Sequence, residues 1–454
     1  MLNRLMWRLR RVSHGAWLDL MKYSSPMISH DLSSRRARVA EELQLSDEQL
    51  LLVGAGEPIP LPEGTDQVYP FRAHSEYFYL TGLECDGGVV AFDPKQGPRD
   101  GWVSFVPEVT EKERIWEGKA DWPGEPITLL EPWLGTRRGR TIICLGVPPR
   151  GVLPDGSPTA KYRELFSQAR RPKDVVEIEL LKRAAVATGA GFSAVQPLIK
   201  AGVSERELQI ELEAGFLRGG ARRTGYDSIV GTGSNAAVFH FSPSERKTNE
   251  GVFLLIDAGA EVDRYVIDVT RTYVVGGKPS SFQRDLHQIV LAAEQAAIAR
   301  CVPGAEWKEI HFKAAIELTA GLVELGVMRG SAESLVDQGA HRLFFPHGIG
   351  HLVGLGVRDA SGMLPGRVKD THPSVENLRM DLPLQRGYVT TVEPGIYFIP
   401  PLLNKAENRQ KFRDCLNWEF AEAHSDIGGV RIEDNVLVTE NGPEVLTKEI
   451  PKGL

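Results

Sequence analysis

Two pairs of amphipathic helices, each followed by apolar strand-like segments, dominate the hydrophobic pattern of the second part of the chain. In the first pair, apolar residues recur at helical spacing over 175–185 and 208–216, and the second pair repeats this spacing over 282–297 and 310–318. The strand-like segments that follow lie at 251–275, 387–399 and 428–438. This duplicated order predicts an α+β domain in which helices pack on one face of a curved antiparallel sheet.

The sequence before these helices has a different pattern. Over 31–162, a charged helix at 33–43 is followed by short β-rich runs that Pro and Gly separate, which predicts a smaller α/β domain. Turn-rich sequence at 148–158 and the motif Arg-Arg-Pro-Lys-Asp at 170–174 mark its end. We therefore predict three segments: a basic extension at 1–26, an N-terminal α/β domain at 27–171 and a C-terminal α+β domain at 172–454.

The basic extension carries four arginines and one lysine against a single acid, Asp19. No continuous apolar region follows Arg10 and Arg11, so a secretory signal is not expected. We expect the extension to be disordered, with Met27 as an alternative start. A targeting peptide is the alternative interpretation.

Composition and charge exclude several classes of function. The chain has 454 residues, with 53 Lys and Arg against 60 Asp and Glu, so its net charge of −7 gives no footprint for nucleic acid or an anionic membrane. No apolar run approaches the roughly 18–20 residues that a membrane-spanning helix needs. The four cysteines lie far apart without a C-x-x-C pair, which argues against a disulfide framework and a thiolate zinc site. We expect a cytoplasmic protein that acts on a small substrate.

Two acids follow apolar strands in the first set of strand-like segments. Asp257 ends the apolar run 252–256, and Asp268 follows the run 265–267, with Asp263-Arg264 as the turn between them. Such a hairpin can place the two carboxylates side by side, where like charges repel and a divalent cation would neutralise them. Either acid taken alone is equally consistent with a strand end or a solvated position.

The later segments add histidines and further buried acids. His347 and His351 lie four residues apart among glycines in the apolar stretch 345–354, as expected of a metal ligand or proton carrier. Glu393 and Glu433 interrupt apolar β runs, where an unpaired charge is costly. Together with the two aspartates they supply four negative charges, which two divalent cations would neutralise. Hard oxygen ligands with one imidazole suit manganese, iron, cobalt or zinc.

These residues identify a family resemblance. Residues 172–440 resemble the pita-bread metallopeptidases, and among them the Xaa-Pro dipeptidases (prolidases) and aminopeptidases P. The motifs that carry it are Asp-x10-Asp, His-Gly-x-Gly-His-x-x-Gly and Val-Glu-Pro-Gly-Ile-Tyr, in this order. The segments 69–72 and 76–82 extend the resemblance more loosely into the N-terminal domain. The resemblance implies a creatinase/aminopeptidase-like catalytic domain, a homodimer and a centre of two divalent ions, with Mn²⁺ expected first and Zn²⁺, Co²⁺ or Fe²⁺ as alternatives.

The same resemblance assigns roles to individual positions. It implies that Asp268 and Glu433 bridge two metal ions and that Asp257 chelates one of them. His351 and Glu393 would complete the other site, and Glu393 would also be the general base. The remaining implied positions are His347 as the oxyanion-stabilising residue, His240 as a further active-site histidine, and Tyr226, Arg431 and Thr270 as residues that orient the ligands. For His240, an edge-strand histidine is the alternative.

Substrate length depends on two arginines and an insertion. Arg379 lies fourteen residues before Glu393, where prolidases place an arginine for a free carboxylate, and the long insertion 398–426 also resembles prolidases. Where the family has His, this chain has Arg358, and we hypothesise that Arg358 also binds the carboxylate end of the substrate or else relaxes the preference for proline. We therefore predict hydrolysis of the bond before proline in Xaa-Pro dipeptides by a metal-bridging hydroxide. Aminopeptidase P activity on longer peptides is the alternative, and an inactive peptide-binding member of the fold is a remote one.

Overall fold

A computed structural model describes residues 32–62, 64, 66–152 and 159–454. The chain divides into two compact units, one that ends at Ala169 and a second, Arg170–Leu454. The division falls two residues before the predicted domain boundary. The predicted basic extension at 1–26 lies outside the described residues.

The first unit is built on a five-stranded mixed sheet. Its strand order is β4-β3-β2-β1-β5, with β1 parallel to β5, β3 parallel to β4, and the remaining pairs antiparallel. The strands are β1 (Gln49–Gly54), β2 (Val89–Phe92), β3 (Trp102–Val106), β4 (Glu125–Pro126) and β5 (Thr141–Gly146). The helices are α1 (Leu32–Leu43), α2 (Ser75–Thr81), α3 (Glu111–Glu117), α4 (Leu130–Gly135) and α5 (Thr159–Arg170), whose last residue is the first residue of the second unit. The central strands β1 and β2 are almost entirely buried, as their continuous apolar sequences require.

The second unit contains the two predicted helix pairs. The first pair is α6 (Val175–Val195) and α7 (Glu205–Arg218), and the second is α8 (Ser281–Ile298) and α9 (Trp307–Glu324). A capping box formed by Ser204 and Glu207 begins α7, since each side chain accepts a hydrogen bond from the backbone N–H of the other. Further short helices follow: α10 (Ala332–Asp337), α11 (Pro400–Leu403), α12 (Ala406–Lys411) and α13 (Trp418–Ala423), the last three within the insertion.

The paired strands in the described part of the second unit all run antiparallel. Its strands form four small sheets, in the orders β10-β9-β6, β11-β8-β7, β12-β15-β16 and β13-β14. Their bounds are β6 (Arg223–Thr224), β7 (Ile229–Thr232), β8 (Phe253–Ala258), β9 (Ala260–Val262), β10 (Tyr265–Val266), β11 (Val269–Val274), β12 (Val389–Val392), β13 (Gly395–Tyr397), β14 (Gly429–Arg431), β15 (Asp434–Thr439) and β16 (Gly442–Val445). Apolar side chains of α8 and α9 pack with those of β12–β15 in one large buried core.

A backbone bridge between Thr270 and Glu433 joins the two halves of the second unit. Thr270 of β11 pairs with Glu433, which lies between β14 and β15, and the Glu433 N–H donates to the Thr270 carbonyl at 3.1 Å. Asp257 is opposite Thr270 on β8, and Asp268 immediately precedes β11, so this crossing lies beside both aspartates. The predicted α+β architecture, with an antiparallel sheet assembled from duplicated halves, positions the candidate site at this crossing. Among the described residues, no helix has the length and apolar character needed to span a bilayer.

Candidate metal centre and active site

Asp257 and Asp268 lie on neighbouring strands, as the sequence predicts. Asp257 is near the end of β8 and Asp268 immediately precedes β11, with the turn at Asp263 and Arg264 in the left-handed region at φ 47° and 77°. The hydroxyl of Tyr226 contacts both carboxylates, at 2.8 Å from Asp257 Oδ1 and within hydrogen-bond distance of Asp268 Oδ1. Burial raises the pKa of Asp257 to about 6, although the nearby positive charge of an arginine opposes this shift. Two buried carboxylates therefore share one hydroxyl group.

His351 is oriented to bind a metal through Nε2. Its Nδ1 lies 3.0 Å from the carbonyl of Leu352, which can only accept, so Nδ1 carries a proton and, in the neutral ring, Nε2 keeps the lone pair that a metal needs. Nε2 lies 3.5 Å from Asp268 Oδ2 and 3.8 Å from Glu393 Oε1. Potential ligand atoms of Asp268, His351 and Glu433 all lie within 4.8 Å of one another. The structure thus brings these three residues into one buried cluster.

Glu393 and Glu433 complete the group of acids. Glu433 is buried, and its Oε2 accepts a hydrogen bond from the Thr270 hydroxyl at 2.6 Å. Burial, reinforced by the other carboxylates, raises the pKa of Glu433 well above its usual range. Glu393 keeps part of its side chain exposed to the cavity. The buried part of its surroundings still raises its pKa to about 7.

This donor set fits divalent metal ions. Burial raises the pKa of Asp257, Glu393 and Glu433, and the charge of neighbouring carboxylates adds to each shift, so their charged forms are costly here unless positive charge is present. The ligand atoms are carboxylate oxygens and one imidazole nitrogen, which suit hard or borderline divalent cations. Asp257 and Glu393 flank the central cluster rather than belong to it, and the assignment of five ligands stays a prediction.

Arg431 connects Asp257 with the hydroxyl groups of Thr270 and Tyr397. Its side chain is buried, and its Nη2 forms an ion pair with Asp257 Oδ2. Nε donates to the Thr270 hydroxyl at 3.0 Å, and Nη1 donates to the Tyr397 hydroxyl at 2.9 Å. Two of the three predicted orienting residues, Arg431 and Thr270, therefore contact each other as well as the acids.

Tyr397 is a site residue that the sequence reasoning missed. Its hydroxyl lies 2.9 Å from Nε2 of His347, whose Nδ1 lies 2.8 Å from the carbonyl of Gly348. Burial lowers the pKa of His347 to about 3, so this imidazole is neutral. Phe239, also missed, packs edge to face on both rings, with ring centroids 5.4 Å from His347 and 4.8 Å from Tyr397. Tyr397 belongs to the motif that identified Glu393, and its place in that motif is the sequence feature that could have indicated a role in the site.

A cavity of about 540 Å³ opens onto this cluster. Every predicted site residue except Thr270 lines it, and Thr270 lies behind Glu433. His240 also lines this cavity, from a turn rather than from an edge strand, so the edge-strand alternative is wrong. Phe239, Phe241 and Ile229 add apolar surface, which a peptide side chain or a proline ring requires.

Arg358 and Arg379 bring unpaired positive charge to the same cavity. Both guanidinium side chains are exposed and line the cavity wall. Burial of part of the group, together with the charge of Arg358, lowers the pKa of Arg379. In the part of the chain that the structure describes, no carboxylate lies within ion-pair distance of either arginine. Two donors for an anionic group are therefore free to bind substrate.

The two units match models of known families. Residues 179–440 match Metallopeptidase family M24, and residues 32–124 match the Aminopeptidase P, N-terminal domain. The chain belongs to metallopeptidase family M24. Membership confirms the predicted resemblance to the pita-bread metallopeptidases, and it makes this chain a metal-dependent peptide hydrolase.

Relatives of this M24 chain are similar over most of its length. It is 30% identical over 417 residues to the probable Xaa-Pro aminopeptidase PEPP of Ajellomyces capsulatus, covering 86% of this chain and 88% of that protein. It is 30% identical over 443 residues to the protein of the same name from Coccidioides posadasii, covering 91% and 93%.

Solved structures of aminopeptidases P have the same fold as this M24 chain. The aminopeptidase PepP of Pseudomonas aeruginosa is 28% identical, with a TM-score of 0.73 over 93% of this chain and 96% of that one. A zinc-substituted Escherichia coli aminopeptidase P in complex with product is 25% identical, with a TM-score of 0.74 over 93% and 95%. These similarities confirm the predicted fold class.

Proposed function

We propose that this chain is a Xaa-Pro aminopeptidase, which removes the first residue of peptides that have proline in second place. The observation that carries the proposal is the match, over nearly the whole chain, to proteins with this name. The cavity supports it, because a cluster of acids and imidazoles shares the cavity with apolar side chains. The alternative in our sequence analysis thus becomes the favoured function, in place of the dipeptidase.

Five residues would hold the metal ions: Asp257, Asp268, His351, Glu393 and Glu433. When bound, two divalent ions supply Lewis acidity at the scissile carbonyl and lower the pKa of water. Glu393 is the partly exposed acid of the group, so we assign it the general-base role. Tyr226 and Thr270 orient the carboxylates through the hydrogen bonds described above, and Arg431 balances the charge of Asp257.

His347 and His240 are proposed to contact the substrate. His347 is neutral, and its protonated Nδ1 lies 3.7 Å from Glu393 Oε2 at the cavity wall. A small rotation away from the Gly348 carbonyl would direct this N–H at an oxyanion that develops on the substrate. His240 lies exposed in the turn on the same cavity, where it can reach a bound peptide.

The dipeptidase remains the second candidate because of one observation. Arg379 lines the cavity without a partner carboxylate among the described residues, as a residue that binds a free C-terminal carboxylate must. Arg358 adds a second guanidinium on the same cavity, which the dipeptidase would use for the free carboxylate of its substrate. We assign the preference for proline to the cavity wall that carries Arg358 and Arg379. Comparison of Ala-Pro with Ala-Ala as substrates tests this preference.

The deciding experiment measures release of free amino acids by the full-length protein loaded with Mn²⁺. Ala-Pro-Ala, Ala-Pro and Ala-Ala are the substrates, and the variant Glu393→Ala is the inactive control. Faster cleavage of Ala-Pro-Ala supports the aminopeptidase, whereas cleavage of Ala-Pro alone supports the dipeptidase. Absence of hydrolysis with Mn²⁺ bound would favour a peptide-binding protein instead.

We further propose that Mn²⁺ is the native metal, that the protein is a homodimer and that it is located in the cytoplasm. Metal analysis of the protein purified without added metal tests the first. Light scattering in solution tests the second, and imaging of a tagged chain in its native cells tests the third.

A further inference from the structure

Asn435 holds the backbone of Asp268 from the side opposite the cavity. Its Oδ1 accepts from the Asp268 N–H at 3.2 Å, and its Nδ2 donates to the Asp268 carbonyl. The Asn435 side chain is fully buried and does not line the cavity. One amide thus fixes both polar backbone groups of a residue assigned to bridge two metal ions.

Arg271 holds the other assigned bridging residue in the same way. Its guanidinium is buried, and Nη1 donates to the Glu433 carbonyl at 2.7 Å and to the Thr270 carbonyl at 2.9 Å. Nη2 donates to Asp434 Oδ1 at 2.8 Å. A single planar group therefore spans the crossing of the two strands that carry the acids.

Both residues are in turn held by the segment 447–452. Arg271 Nη2 and Nε donate to the carbonyl of Ile450 at 2.8 Å and 3.1 Å, and Nε also lies 3.0 Å from the carbonyl of Pro451. The hydroxyl of Thr447 accepts from the Asn435 N–H at 3.1 Å and donates to Asp434 Oδ1 at 2.6 Å. The segment thus reaches the metal cluster through two buried side chains.

We propose that the segment 447–452 positions the metal centre, with Arg271 and Asn435 as the positioning residues through which it acts. This inference rests on the ligand assignment in the proposed function. Metal ions require their ligands at closely defined separations, and Asp268 and Glu433 come from strands that are far apart in sequence. The segment fixes both backbones from behind, so it sets the separation of the two carboxylates without touching metal or substrate.

The test compares two buried threonines. Thr447→Val removes the hydroxyl that holds Asn435 and Asp434, whereas Thr319→Val removes a buried hydroxyl that donates within α9 to the Ala315 carbonyl at 2.6 Å. Mn²⁺ affinity of the full-length protein is measured by calorimetry after chelation and dialysis, with the midpoint of thermal unfolding measured beside it. We expect Thr447→Val to weaken Mn²⁺ binding about tenfold, and Thr319→Val to leave it within about twofold of wild type.

Equal Mn²⁺ affinities of wild type and Thr447→Val would overturn the inference, whatever the change in thermal stability. Arg271→Lys is the second variant, because it keeps the charge but cannot span the Glu433 and Thr270 carbonyls, and a loss of about tenfold or more in affinity supports the inference. Wild type that binds Mn²⁺ without hydrolysing any peptide would refute the proposed function, while the affinities of the variants would still decide this inference. Wild type that binds none of Mn²⁺, Zn²⁺, Co²⁺ and Fe²⁺ would refute both.

Discussion

The hydroxyl of Tyr397 donates a hydrogen bond to Nε2 of His347 across 2.9 Å. The direction is fixed because Nδ1 of His347 donates to a backbone carbonyl, and because Arg431 donates to the Tyr397 oxygen. Arg431 also pairs with Asp257, so a continuous path of polar contacts runs from an assigned metal ligand to the neutral imidazole. These contacts connect the acid cluster to the ring of His347 through Arg431 and Tyr397.

Removing this hydroxyl should lower activity without unfolding the protein. In Tyr397→Phe, His347 Nε2 and Arg431 Nη1 each lose a buried partner, and we expect kcat/KM for Ala-Pro-Ala to fall about tenfold to a hundredfold. Tyr273→Phe is the matched control, since Tyr273 is buried in β11 and does not line the cavity. Equal kcat/KM for Tyr397→Phe and wild type would mean that the contact has no part in catalysis.

The two free arginines should select substrates with a carboxylate. In Arg379→Gln we expect KM for Ala-Pro-Ala to rise about tenfold, because a charge-assisted hydrogen bond is lost, while KM for its C-terminal amide changes little. Arg386→Gln, at an exposed position outside the cavity, is the control. A parallel rise in KM for both peptides would refute carboxylate binding.

Arg358→His restores the residue that the family has at this position. We expect KM for Ala-Pro to rise as one of the two guanidinium groups is lost, and the ratio of Ala-Pro to Ala-Ala hydrolysis to report on strictness for proline. Steady-state kinetics on both dipeptides measures the effect. If neither kcat nor KM changes for either substrate, Arg358 does not bind the substrate's carboxylate end.

Adding metal should stabilise the fold, because it offsets the repulsion between buried carboxylates. At free Mn²⁺ one hundred times its dissociation constant, one occupied site adds about 2.7 kcal/mol to the free energy of unfolding. Urea unfolding with and without excess chelator measures this difference. In the double variant Asp268→Asn with Glu433→Gln the effect of Mn²⁺ should largely disappear, and an undiminished effect would place the ions elsewhere.

His341 should make the protein sensitive to acid. Both of its ring nitrogens are buried without a hydrogen-bond partner in the described structure, and its neighbours His311, Arg342 and His372 are themselves basic. Burial lowers its pKa to about 3, whereas an unfolded histidine titrates near 6.5. The unfolded chain therefore binds the proton first, and the stability that neutral His341 contributes is present above pH 6.5 and is lost as the pH falls towards 3.

Urea unfolding at several pH values tests this expectation with His341→Leu. Below pH 6.5, the free energy of unfolding of wild type should fall faster than that of the variant, by up to about 1.4 kcal/mol per pH unit. His424→Leu is the control, because that partly buried histidine has a backbone carbonyl as hydrogen-bond partner. Parallel pH profiles for wild type and His341→Leu would show that the buried ring does not govern acid stability.

Local patterns in the sequence predicted local structure well. The helical spacing, the capping box at Ser204 and the turn at Asp263-Arg264 depend on neighbouring residues, and the structure has all of them. The hairpin that brings Asp257 near Asp268 is likewise local, although two short strands, β9 and β10, intervene within it.

Contacts between distant segments could be identified only from the family resemblance or from the structure itself. Nothing in the periodicity pairs Thr270 with Glu433; the family resemblance implied only that Asp268 and Glu433 lie together, and the pairing of Thr270 with Glu433 comes from the structure. Tyr397 ends the motif Val-Glu-Pro-Gly-Ile-Tyr, but the motif does not reveal its contact with His347, which only the structure shows. Arg271 looks like a polar strand residue in the sequence, and its burial among backbone carbonyls depends on a segment far along the chain.

The bridge between Thr270 and Glu433 also sets the order of events during synthesis. These residues are 163 positions apart, so a nascent chain that has completed β8 and β11 holds two repelling carboxylates and no complete centre. The centre closes only after β14 and the segment behind it have left the ribosome, because Arg271 and Asn435 await the backbone of that segment. Under the proposed ligand assignment, a complete centre therefore forms only in chains whose translation has reached this segment.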